Sequence, residues 1–166
     1  MKKMTVLLSL CLLLFSCDFV EPVSSENTII SKITIKNGQN FGFCIGKCYS
    51  EMVISGNKVE FIVKERVFEE NGVSTKDYNY NDAIASTKIS SINNVLDLNK
   101  FWGLKDIYGC PDCADGGSEW IEIINEKGDS KKVTFEYGKT VPGIENLIIS
   151  LREERMALQT KYVTGK

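Results

Sequence analysis

The 166-residue sequence predicts a single-domain α+β fold, an antiparallel β-sheet with two helices packed on one face. Three observations predict it. Short segments of alternating apolar and polar residues are joined by Gly- and Asn-bearing turns, which gives consecutive hairpins and few crossovers. Two other segments, around Ile92 and Leu147, repeat apolar residues at helical spacing. The composition, 43% hydrophobic and 25% charged, suits one body long enough to bury a core.

The chain opens M-K-K-M-T-V-L-L-S-L-C-L-L-L-F-S-C. Lys2 and Lys3 precede an apolar run, Val6 to Phe15, that is too short to span a bilayer as a permanent helix. Residues 1–16 read as a secretory signal. The ending Leu14-Phe15-Ser16-Cys17 resembles a bacterial lipobox, in which cleavage falls just before the cysteine and that cysteine is acylated. At about 0.8 kcal/mol per buried CH₂, more than one acyl chain on Cys17 holds a protein firmly to a lipid bilayer. The plainer reading is an ordinary signal peptide with an incidental Cys17. Residues 17–27, which include Pro22, form a flexible polar tether.

The folded domain is expected over residues 28–158. Thr28 to Lys36 alternates Ile30, Ile33 and Ile35 with polar residues as a first strand, which Asn37-Gly38 ends. A glycine-rich loop, Gly38 to Cys48, follows. Ser50 to Ser55 and Lys58 to Phe68 form a hairpin through Gly56-Asn57, a strong turn signal. Thr75 to Tyr80 adds another strand, with Ile84 to Ile89 returning. Ser90 suits a helix N-cap, and Ile92, Val95 and Leu96 share a face of a helix running on to Phe101. Trp120 to Asn125 and Lys131 to Tyr137 make a second hairpin around Gly128. Pro142 and Glu145 suit the start of a final helix, with Ile144, Leu147, Ile148 and Leu151 as its buried stripe. The tail over residues 159–166 is expected to fray.

Between the first helix and the second hairpin lies the densest stretch of the chain, Phe101 to Trp120. It combines Phe101, Trp102, Tyr108 and Trp120 with four glycines, Pro111 and the pair Cys110/Cys113. A long irregular loop inside a compact domain is usually functional or tied down. Cys110 and Cys113 offer one tie, and Cys44 and Cys48 another. Four cysteines allow three connectivities, and a secreted chain favours disulfides over free thiols. Local bridges would restrict the unfolded chain by about 2 kcal/mol each, and bridges across the two pairs by about 4 kcal/mol. Entropy therefore favours cross-pairing and proximity favours Cys44–Cys48 with Cys110–Cys113. The same four thiolates could instead hold a closed structural zinc. A redox role for Cys110-Pro-Asp-Cys113 is the remaining alternative, though a glycine-rich loop follows it where a helix would lower the thiol pKa.

Composition removes several classes. There is no histidine, the commonest general base and metal ligand, so triads and most hydrolytic metal sites are excluded and no catalytic residue is assigned. The net charge is −2, and removing Lys2 and Lys3 leaves 18 basic against 22 acidic residues, or −4. Nucleic acid is not expected as a partner. Gly42 to Lys47 misses the phosphate-loop spacing by one residue, and Ser55-Gly-Asn-Lys58 crosses a hairpin turn with no partner motifs. Asp112, Asp115 and Glu119 lack calcium-loop spacing and read as a solvated turn.

Taken with the lipobox, the segments G-F-C-I-G-K-C-Y-S and F-W-G-L-K-D-I-Y and the closing helix resemble a family of bacterial lipoproteins, common in the Bacteroidetes group and classed as a domain of unknown function. The resemblance covers roughly Thr28 to Arg155. It implies an extracytoplasmic α+β domain and supplies no activity, cofactor or catalytic residue. The sequence thus leads to an expectation of a non-enzymatic binding domain, anchored in the cell envelope through Cys17 with the outer membrane as its site. Its partner would be an envelope protein or small molecule. Tyr108, Asp112, Asp115 and Trp120 are the candidate contact residues. The competing expectation is a thiol-redox or zinc protein using Cys44, Cys48, Cys110 and Cys113.

Overall fold

The computed structural model describes residues 29–165. The signal segment, Cys17 and the tether lie outside them. The architecture is mixed α+β, built on a seven-stranded, mostly antiparallel sheet with three α-helices. No helix among the described residues is long and apolar enough to cross a membrane.

A short 3-10 turn, Ile29–Lys32, leads into β1 (Thr34–Asn40). The first strand therefore lies downstream of its expected place, and Asn37-Gly38 is strand interior. Two neighbours explain this: β1 pairs on both sides, with Asn37 opposite Met52 and Ile121. Next come β2 (Gly46–Ser55), β3 (Lys58–Glu69) and β4 (Gly72–Ala83), a meander whose first turn is the Gly56-Asn57 turn predicted from sequence.

Ile84 to Ile89 does not return as a strand. It leads into α1 (Ser86–Val95), which starts four residues before the expected Ser90 cap and has no side-chain cap. Burial of Ile89, Ile92 and Leu96 decides the matter over local capping preference. The helix also does not run on to Phe101. Asp97 breaks it and caps a separate α2 (Leu98–Trp102), its side chain accepting from the Lys100 amide.

A two-residue β5 (Ile107–Tyr108) pairs parallel with β7 (Ser130–Glu136), which forms a hairpin with β6 (Ser118–Ile124). Helix α3 (Glu145–Gln159) follows, beginning three residues past Pro142. Beyond α3, in the segment read from sequence as a fraying tail, Thr160–Thr164 form a π-type turn. Tyr162 stacks on Tyr80 at 4.5 Å and donates its hydroxyl to Asp82.

The sheet order is β4-β3-β2-β1-β6-β7-β5, which puts β1 at the centre. Register sorts the side chains. Ile35, Ile54, Met52, Phe61, Ile121, Ile123, Val133 and Phe135 share one face and form a single hydrophobic cluster with Ile89 and Ile92 of α1 and Leu147, Ile148 and Leu151 of α3. Each such fully buried side chain contributes about 1.5–3 kcal/mol. The alternating positions, among them Gly38, Tyr49, Lys64, Trp120 and Lys132, share the second face.

Candidate functional site

Antiparallel pairing gathers the irregular segments at one end of the sheet. The end of β1, the start of β2, the β3–β4 turn, the Pro111–Gly117 loop and the end of β7 all lie there. The described chain enters at the other end, beside the Gly56-Asn57 and Gly128 turns. At about 3.3 Å per residue, the twelve residues of β3 place these ends roughly 40 Å apart.

Two disulfides fix this end. Cys44 bonds Cys48 with Cα atoms 5.8 Å apart, and Cys110 bonds Cys113 at 5.5 Å. The pairing is local, against the entropic preference for cross-pairing, because each pair is brought together by its own turn. With each pair joined internally, none of the four sulfurs is a thiolate able to ligate zinc.

The two disulfide loops also touch. The Gly42 amide donates to Asp112 Oδ1 at 3.1 Å, and a Cβ at Gly42 would overlap that carboxylate, so only glycine allows the approach. Arg66 donates to the Gly42 carbonyl from β3. Phe41 packs edge-on against Tyr137 at 4.8 Å. Glu136 accepts from the Cys110 amide at 2.8 Å. The second loop carries left-handed backbone at Asp112, Ala114 and Asp115 as well as at Gly109 and Gly117, whereas Gly116 is right-handed.

Among the expected contact residues, Tyr108 is half-buried, packs against the core and accepts from the Lys105 amide. Asp112 is the bracket between the loops, and Asp115 is exposed. Trp120 is 5% exposed and lies on the second face, apart from this bracket. Glu119, read as part of a solvated turn, is 0% exposed and held by Arg152 and Arg155 of α3.

Sequence reasoning missed the most exposed apolar group at this end. Phe43 (85% exposed), Ile45 (55%), Phe68 (68%) and Val73 (58%) line a recess of about 590 Å³ beside Cys44. Its signal was present: an apolar residue on each side of Cys44 in a loop with no strand pattern.

The second face carries another recess, of about 480 Å³. Trp120 is its floor, lying so close to Gly38 that a Cβ there would overlap the indole. Tyr49 packs beside it at 5.4 Å, and the indole N–H donates to Glu51 at 3.3 Å. Lys132 sits 4.5 Å from the Trp120 ring and Lys64 5.4 Å from the Tyr49 ring. Burial, then the Glu51 carboxylate, pushes the Tyr49 hydroxyl above its ordinary range, so it remains a protonated donor. No family model, curated protein or solved structure matches this chain.

Proposed function

We propose that this chain is a non-enzymatic binding protein of the bacterial lipoprotein family it resembles, anchored in the cell envelope through acylated Cys17 and docking a partner protein at its disulfide-pinned end. On this reading the outer membrane holds the anchor. Helices α1 and α3 form a layer over the core-bearing face of the sheet, leaving the loop end and the second face for contacts.

The observation that carries the reading is the cluster of Phe43, Ile45, Phe68 and Val73. Four large apolar side chains stand in water on a loop and hairpin tip that a disulfide and Arg66 hold in place. Exposed apolar patches of this kind mark interaction sites, and a pinned loop loses little entropy when it docks. The position adds support. The described residues begin, at Ile29, beside the opposite end of the sheet, and on this reading the patch faces away from the anchoring bilayer, within reach of a protein partner. The exposed Cys110–Cys113 loop lies alongside as the rim of the contact.

Two substitutions test the two halves of the proposal. Cys17→Ser should abolish acyl labelling and move the chain out of the membrane fraction; retention there would defeat the anchor. A photo-crosslinker at Phe43 should give a discrete protein adduct that one at Asn146, exposed on α3, does not give. Phe68→Ala should reduce that adduct at least tenfold without changing thermal unfolding. Equal labelling from both positions would defeat the contact surface.

A further inference from the structure

We propose that the recess on the second face of the sheet binds an acidic sugar, a ring bearing a carboxylate or a phosphate. The inference is independent of the apolar patch, which lies outside this recess. Its chemistry comes from what lines the recess. Every charged side chain in the lining is a cation: Lys64, Arg66 and Lys132. Three carboxylates beside the recess stand outside the lining and are engaged. Glu51 accepts from the Trp120 indole, Asp77 pairs with Lys64 at 3.7 Å, and Glu122, opposite Lys132 across the strands, pairs with Lys36 at 3.3 Å. The anionic part of a ligand therefore meets Lys132, whose charge rests over the Trp120 ring, and Lys64, whose charge lies over the Tyr49 ring and is shared with the exposed Asp77. Arg66 is already shared with the Phe41 and Gly42 carbonyls and contributes charge to the rim.

The neutral lining completes the class. Thr75, Ser118 and Thr134 bring hydroxyls and Asn40 an amide, groups that donate and accept toward a polyhydroxylated ring. The edge of Tyr49 beside the buried Trp120 offers an apolar surface to the flat side of that ring. A volume of about 480 Å³ lies within the roughly 300–1,000 Å³ usual for small-molecule sites. The site is also preformed: Trp120 is wedged over Gly38, tied to Glu51 and packed by Tyr49, so little ordering remains to be done on binding.

Trp120 and Trp102 are the two tryptophans, and only the first belongs to this recess. The indole N–H signals of the full chain in detergent micelles, followed by ¹⁵N–¹H correlation spectra, therefore supply a reporter and an internal control. Glucuronate and glucose 6-phosphate serve as carboxylate and phosphate probes, with glucose as the neutral comparison. A saturable shift of the Trp120 signal by either anion, with Trp102 unmoved and glucose inert at the same concentration, is the expected result; which anion responds identifies the charged group. Lys64→Gln and Lys132→Gln should each weaken that binding roughly tenfold, as expected for losing one charge-assisted contact. The proposal is overturned if neither anion gives a saturable shift, if glucose binds equally well, or if both variants bind as the parent does.

Discussion

Glu119 shows how one side chain organises the interior. It is fully buried, and Arg152 chelates it with nitrogens at 2.5 and 3.0 Å while the Gly138 amide donates at 3.0 Å. Arg155 completes the group, bonding Glu119, Asn37 Oδ1 and Gln39. Desolvation lowers the Arg155 pKa, and the neighbouring Glu119 charge opposes that shift. Such a cluster is tolerated because its charges are paired and hydrogen-bonded; removing one leaves the others buried and uncompensated. Glu119→Ala should therefore destabilise the fold by about 3–5 kcal/mol in urea unfolding, and a loss under 1 kcal/mol would mean the cluster is solvated. Nothing near Glu119 in sequence reveals this role, since its partners lie 33 and 36 residues away on a helix. The same distance hid Arg155, which continues the apolar stripe of α3 and is buried there as a charge.

At the scale of elements, periodicity was legible wherever a segment packs on one side only. The β2–β3 hairpin, the β6–β7 hairpin and the α3 stripe Ile144, Leu147, Ile148 and Leu151 all lie where alternation or helical spacing puts them. Elements defined by partners rather than pattern were not legible. Strand β5 exists because two residues run parallel to β7, and Asn37-Gly38 stays extended because β2 and β6 flank it. The loop end was half legible: its cysteines and glycines announced a fixed irregular region, but not that Gly42 and Asp112 would join the two loops. The disulfides differ in a measurable way. Cys48 is 2% exposed at the start of β2, whereas Cys110 and Cys113 are both exposed in a turn with left-handed residues. Thiol exchange needs access to a sulfur. Under graded dithiothreitol, followed by alkylation and mass spectrometry, Cys110 and Cys113 should be labelled before Cys44 and Cys48. Simultaneous labelling would show that both loops open together.

At the scale of the whole molecule, the C-terminal turn docks on strand β4 at the far side of the sheet. Tyr162 stacks on Tyr80 and lies near Phe61, while Lys161 Nζ pairs with Asp82 at 2.7 Å. This docking packs the side chains of the turn against the core face of the edge strand β4. It also makes stability depend on acid. The Lys161 contact, then the Ala83 amide, lowers the Asp82 pKa below the ordinary carboxylate value. A carboxyl whose folded pKa is depressed adds stability that is fully present above the unfolded value of about 4 and is lost as pH falls through the folded value. The pair is partly exposed, so salt screens it and the effect is small. Comparing urea midpoints of the parent and Asp82→Asn from pH 7 to pH 2 should give a constant advantage for the parent above about pH 5, shrinking below about pH 4. Removing Thr160 onward should shrink that acid-dependent part of the difference, because the lowering rests first on Lys161. If the truncated chain keeps the full pH dependence, the C-terminal turn is not what holds Asp82 ionised.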